Sequence, residues 1–191
     1  LKVNQEEYTL GGVGNVSNNI TSLGAKVSTV GVIGKDESGK KIIDCFKNKN
    51  MDSSFVIESD KRQTTQKIRI LGSNQQLIRV DYETEDTIDK KIENKILEET
   101  KEIPKITAII ISDYAKGVIT EKIAKEIIGY SEKNKIPLIV DPKPRNQEFY
   151  KGAYLIKPNL KEAKEITGIS KEGNDDIKEM GLILIKKFDS N

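Results

Sequence analysis

Three polar clusters, each closing an apolar run, carry the groups that handle phosphates and hydroxyls. Residues 106–111 run into Ser112-Asp113-Tyr114-Ala115-Lys116-Gly117, residues 136–140 into Asp141-Pro142-Lys143, and residues 154–156 into Lys157-Pro158-Asn159. Lysines neutralise phosphate oxygens, and carboxylates hold sugar hydroxyls or a hydrated Mg2+. One mixed-charge pair at a strand end is ordinarily a solvated loop. Two of them, Asp113 with Lys116 and Asp141 with Lys143, together with Asn159 at a third strand, point to a shared site. Asn159 and Glu162 lie at i and i+3 on one face of a first helical turn, a spacing that ordinary N-terminal capping also uses. A fourth cluster, Gly11-Gly12-Val13-Gly14-Asn15, follows Tyr8-Thr9-Leu10 and opens a helix. Glycines there let a ligand oxygen approach unpaired backbone N–H groups, although a plain strand–helix turn would use them too. A dinucleotide fingerprint is the weaker interpretation, because Ser17 stands at the third glycine position and the preceding Gln5-Glu6-Glu7 is polar.

Composition narrows the chemistry further. The 191 residues contain no histidine, which leaves carboxylates, lysines and tyrosines as the general bases of this sequence. The 32 Lys+Arg and 30 Asp+Glu are interleaved and leave a net charge of +2, no footprint for nucleic acid. The one cysteine, Cys45, sits among Ile42, Ile43 and Phe46 at helical spacing and is expected to be a reduced core residue. That usage, with no leader pattern and no apolar run of membrane-spanning length, leads us to expect a cytoplasmic protein with no membrane partner. The length suits a single domain over 1–191. Leu1 and a strand already under way over residues 1–10 suggest a piece of something longer.

These clusters need elements to hold them. Val13, Val16, Ile20 and Leu23 predict a helix stopped by Gly24, followed by a strand over 27–33, a loop over 34–39, a helix over 40–49 and a short strand over 55–57. Residues 64–82 alternate with period 2 about a Gly/Ser/Asn turn and predict a hairpin. One face is apolar (Ile68, Ile70, Ile78, Val80), while Lys67 and Arg69 point the other way. A lid over a polar ligand or a two-fold contact would use such a ribbon. From Ile88 the pattern becomes helix, strand (106–112), helix (120–134), strand (137–141), strand (154–156) and helix (159–167), with a last helix over 175–188. Such alternation predicts βαβ units and a mainly parallel sheet. In sheets of this kind ligands bind beyond the carboxyl ends of the strands, where the polar clusters lie.

Residues 10–36 (LGGVGNVSNNITSLGAKVSTVGVIGKD), 64–83 (TTQKIRILGSNQQLIRVDYE), 112–120 (SDYAKGVIT), 138–143 (LIVDPK) and 155–168 (LIKPNLKEAKEITG) together resemble the ribokinase-type (PfkB) carbohydrate kinases, and within them the heptose 7-phosphate kinases. The resemblance implies a three-layer α/β/α, Rossmann-like sheet with a small β-lid at about 1–10 and 63–82. It also implies ATP with Mg2+ as cofactors, a sugar phosphate as substrate, and a homodimer formed through the lid. By the same resemblance Gly11, Gly12 and Asn15 bind sugar hydroxyls, and Lys67 and Arg69 belong to the lid. Asp113, Lys116, Asp141 and Lys143 surround the sugar and the transferred phosphate, and Asn159 and Glu162 organise Mg2+–ATP through water. The family's Asp-x-x-Gly-Ala-Gly-Asp loop has no counterpart between Gly168 and Asn191. The catalytic base is therefore expected downstream of Asn191, and the 191 residues alone are expected to be inactive. Kinases for another sugar, or a sugar-phosphate-binding module without turnover, share most of these features.

Overall fold

The structure, a computed structural model, describes residues 3–72 and 75–190. It divides into two compact units, Leu1–Thr84 and Glu85–Asn191.

In the first unit α1 (Gly12–Ser22) is followed by β1 (Gly31–Gly34), α2 (Glu37–Asn48) and β2 (Val56–Ser59). β1 and β2 pair in parallel from Gly31↔Val56 to Gly34↔Ser59, and an isolated parallel bridge joins Ser28 to Asp52. β1 is shorter than its apolar run over 27–33, and both strands are displaced toward the carboxyl end of their runs. α1 stops as its pattern requires: Leu23 caps it and Gly24 takes a left-handed φ of 88°. Ser17, on its buried side, shares a 2.8 Å hydrogen bond with Thr29, so the residue at the third glycine position is a packing residue.

α2 begins three residues earlier than its hydrophobic spacing indicated. Asp36 is its N-cap and accepts from the Gly39 N–H at 2.8 Å through Oδ1. Its Oδ2 accepts from the Thr64 N–H at 2.8 Å, and the Gly34 N–H donates to Thr64 Oγ1 at 2.8 Å. Gly34 has no room for a side chain here, since a Cβ would fall 2.6 Å from the Arg62 carbonyl oxygen and 2.7 Å from the Thr64 nitrogen. Cys45 is free and half-buried rather than a core residue; the helix phase gives the core position to Phe46.

The hairpin forms as its alternation predicts, from β3 (Gln66–Gly72) and β4 (Gln75–Tyr82), antiparallel, with Ile68 opposite Val80 and Ile70 opposite Ile78. A register shift follows Ile70; the turn residues 73 and 74 lie outside the described residues. The strand expected over 1–10 is not formed in residues 3–10. A strand needs a ladder partner, and the contacts found in this stretch are between side chains: Tyr8 donates to Glu6 at 2.6 Å and accepts from Lys41 at 2.7 Å.

The second unit runs α3 (Lys90–Glu102), β5 (Ile109–Ser112), α4 (Glu121–Asn134), β6 (Leu138–Asp141), a 3-10 helix (Pro144–Tyr150), β7 (Leu155–Ile156), α5 (Leu160–Thr167) and α6 (Asn174–Phe188). Its sheet is parallel in the order β5-β6-β7. Ile123 and Ala124 of α4 and Leu138 and Val140 of β6 are fully buried, each of the larger side chains contributing about 2 kcal/mol. α4 starts on Thr120, whose hydroxyl accepts from the Ile123 N–H at 3.1 Å. α6 buries Met180, Leu184 and Phe188 at i, i+4 and i+8, and its Phe188 carbonyl accepts from the Gly152 N–H at 2.7 Å. The 3-10 helix was not foreseen.

Candidate functional site

Because β5, β6 and β7 are parallel, their carboxyl ends share one edge, with Ser112 opposite Asp141 and Val140 opposite Ile156. The ladder continues just past the strands: the Asp113 N–H reaches the Asp141 carbonyl at 3.1 Å, and the Lys157 N–H reaches that of Val140 at 2.9 Å. The three clusters read from the sequence are thereby neighbours in the second unit.

Their side chains fall into three arrangements. Asp113 is only 3% exposed. Its Oδ1 accepts from the Ala115 N–H at 2.7 Å, and its Oδ2 accepts from the Asn146 amide at 2.8 Å and the Tyr150 hydroxyl at 2.7 Å. Burial, then the Asp113 charge, push the Tyr150 phenol far above its ordinary range, so it remains a donor. Lys116 lies 2.7 Å from Glu85 Oε1, and Arg145 lies 3.1 Å from Glu85 Oε2. The hydrogen bond and charge of Lys116, with the nearby Arg145, hold the Glu85 carboxyl below the usual glutamate range.

The third arrangement joins β6 to α5. Asn159 Oδ1 accepts from the Glu162 N–H at 2.9 Å, and Glu162 Oε2 accepts from the Asn159 N–H at 2.9 Å, a complete capping box. Glu162 Oε1 takes the Lys143 ammonium. Burial pushes the Glu162 carboxyl up, but hydrogen bonds from Lys143 and the Asn159 N–H outweigh it and leave the group below its ordinary value. Lys143 is held above its ordinary value mainly by its hydrogen bond to Glu162, and it lies 5.9 Å from the Tyr114 ring centroid. Asp141 is half-exposed and pairs with Lys157 at 3.3 Å.

The remaining candidates belong to the first unit. Gly11 is the N-cap of α1 and makes no side-chain cap; Gly12 follows with φ of 52°, and Asn15 is exposed one turn along. That end of α1 is open, with nothing within 4 Å of a Cβ built on Gly11. On the polar face of the hairpin Lys67 lies 2.8 Å from Asp81 and 3.2 Å from Glu83. Arg69 stands directly opposite Arg79, which reaches Asp81 at 3.0 Å.

Asn146, Tyr150, Arg145 and Glu85 were missed from the sequence. Only the polar run after Lys143 hinted at the first three, and Glu85 lies in an acidic stretch with no period. No group of three or more His, Cys, Asp or Glu among the described residues is placed to hold a metal ion. Glu162 and Asp141 fit contact with metal-bound water better than direct ligation, which suits an ion that keeps several of its waters. No helix of the described residues is long and apolar enough to cross a membrane.

The mixed α/β fold, with parallel and antiparallel sheets, is ribokinase-like. The tetrameric inhibited form of phosphofructokinase-2 from Escherichia coli superposes with a TM-score of 0.73 at 17% identity, covering 94% of this chain and 59% of that one. The same enzyme in complex with fructose-6-phosphate gives 0.72 at 17% identity, with the same coverage of 94% and 59%. The model of the pfkB family carbohydrate kinases matches residues 1–191, and the chain belongs to that family. Bifunctional protein HldE of Geobacter sulfurreducens is 37% identical over 190 residues, 99% of this chain and 39% of that protein. Its namesake in Geobacter metallireducens is 41% identical over 171 residues, 89% and 35% respectively. The chain thus spans roughly two fifths of these relatives and about three fifths of the solved kinases. Kinases of this family use ATP with Mg2+.

Proposed function

We propose that this chain is part of an ATP-dependent kinase that phosphorylates D-glycero-D-manno-heptose 7-phosphate at the anomeric hydroxyl, giving a 1,7-bisphosphate for ADP-heptose synthesis. The carboxyl edge of β5–β6–β7 carries this reading: three adjacent strands end in Lys116, Lys143 and Lys157, each beside a carboxylate. Phosphoryl transfer asks a protein mainly to position its reactants and neutralise charge, and lysines near paired carboxylates supply both. The heptose rests on the sequence resemblance and on relatives named HldE.

Within this reading, the open N-terminus of α1 and Asn15 hold sugar hydroxyls, and Arg69 of the hairpin meets the substrate's negative charge. Lys143 neutralises the phosphoryl group in transfer. Glu162, kept ionised at neutral pH, orients water around the metal, with Asp141 and Asn159 beside it. Magnesium bound with ATP would supply charge neutralisation at the phosphates. The apolar hairpin face is assigned to a two-fold contact between copies.

The test is phosphoryl transfer from ATP by the full-length protein across a panel of hexose and heptose phosphates. Transfer to the heptose 7-phosphate at the anomeric position is the expected result. Preference for a different sugar phosphate would keep the kinase and replace its substrate. Sugar-phosphate binding without any transfer would favour a module that does not turn over.

A further inference from the structure

Asp113 does not face outward as a sugar ligand would: its two oxygens receive three internal donors, from two separate segments. Ala115, with a left-handed φ of 52°, lies in the loop that presents Lys116. Asn146 and Tyr150 lie in the 3-10 helix that presents Arg145. The loop is also fixed from its far side, since the Gly117 carbonyl accepts from the Ile88 N–H at 3.0 Å and a Cβ on Gly117 would fall 2.0 Å from the Asp86 oxygen. Lys116 and Arg145, brought together by these segments, meet on opposite oxygens of one carboxylate, Glu85. Two oxygens held by two cations is the contact a phosphate monoester also makes.

We infer that Asp113, Asn146 and Tyr150 form a buried brace that sets Lys116 and Arg145 as a two-cation cradle for the phosphate already present on the sugar, with Glu85 as the internal anion which that phosphate displaces. The inference rests on the sugar-phosphate reading above and changes the part Asp113 plays in it. Asp113 becomes a positioning residue, and Arg145 and Glu85 join the substrate site.

The full-length protein and its Arg145→Ala, Glu85→Gln, Tyr150→Phe/Asn146→Ala, Asp113→Asn and Asp113→Ala variants test this by steady-state kinetics and by calorimetric titration with the preferred sugar phosphate. Arg145→Ala should raise the sugar-phosphate KM about tenfold, the loss of one charge-assisted hydrogen bond. Glu85→Gln should lower it several-fold, and inorganic phosphate should compete more strongly in that variant. The double variant should raise the same KM, with kcat and the KM for ATP within about twofold of wild type. Asp113→Asn should retain more affinity than Asp113→Ala, because an amide can still accept from the Ala115 N–H while Tyr150 and Asn146 reorient.

A lower melting temperature with an unchanged sugar-phosphate KM in the double variant would overturn the brace and leave it a packing network. A raised KM in Glu85→Gln would overturn the displaced-anion role. If the double variant does not fold, Arg145→Ala and Glu85→Gln, both at exposed side chains, still decide the cradle. Wild-type protein that binds no sugar phosphate overturns the kinase reading itself; wild-type binding with Arg145→Ala unaffected overturns only the cradle.

Discussion

The β3–β4 hairpin and the carboxyl edge of β5–β6–β7 both set lysines against carboxylates, yet they enclose them differently. In the hairpin Lys67 meets Asp81 and Glu83 with its side chain 39% exposed, on a ribbon whose apolar face is also open. At the sheet edge Asp113 and Glu162 are 3% and 6% exposed, and every oxygen of both has a protein donor. An exposed pair gains little, because water and salt screen it. A buried carboxylate stripped of its donors, or donors stripped of their carboxylate, leaves polar groups that water cannot reach. The same residue types therefore tune a surface in one region and determine backbone geometry in the other.

The largest consequence of this contrast should come from Asp113→Ala, which leaves the Asn146 amide, the Tyr150 hydroxyl and the Ala115 N–H without their acceptor. A loss of about 3 kcal/mol is expected in urea unfolding, while Lys67→Ala should be indistinguishable from wild type. Equal midpoints for the two variants would erase the distinction between the regions.

Gly117→Ala comes next. It adds a clash with the Asp86 oxygen to a left-handed φ of 74°, whereas Gly24→Ala, at φ of 88°, meets open space. Conformation alone costs about 1–2 kcal/mol. Thermal melts should therefore show Gly24→Ala destabilised by about that amount and Gly117→Ala by clearly more.

A smaller, pH-dependent effect belongs to Glu162→Gln. The folded-state carboxyl lies below the ordinary glutamate value of 4.5, so its stabilisation is present above that pH and is lost as pH falls through the lower folded value. The urea midpoints of wild type and variant should differ most near pH 7 and converge below pH 4.5. A constant difference across that range would assign the loss to the cap rather than to the charge.

A small stability effect is expected for Ile68→Asp with Val80→Asp, because both side chains are already exposed. Their consequence should instead be in association. Light scattering should find a wild-type dimer and a monomeric variant of the full-length protein. A monomeric wild type would remove the two-fold role of the hairpin.

Much of the scaffold was legible because it is written locally. Runs rich in Ile and Val ending in charge located β5 and β6, and strict alternation gave the hairpin with its apolar face. Boundaries failed where a polar residue decided them: Asp36 starts α2 through its cap, ahead of the first apolar turn. The strand expected over 1–10 is absent from residues 3–10, which have no ladder partner. At the candidate site, Asp113, Lys116, Asp141, Lys143, Asn159 and Glu162 were singled out by their types and places, and the structure sets them along one sheet edge. Their partnerships were not. The acceptor of Tyr150 lies 37 residues away and that of Asn146 lies 33 away, and no local period encodes such pairs. The 3-10 helix that carries both donors is short and opens on Pro144, so it lacks the repeat by which helices are recognised.

The knot of Gly34, Asp36 and Thr64 has a consequence on the time axis. Thr64 is the second residue before β3, and beyond β4 the Thr84 carbonyl accepts from Arg62 at 3.1 Å and that of Glu83 from Gln63 at 3.3 Å. The ribbon is thus riveted at its root and exposed along its length, the arrangement of a stiff lever. Amide hydrogen exchange should record this as a gradient, with the Gly34 and Thr64 protons among the slowest of the first unit and protection falling steadily toward the tip of the ribbon.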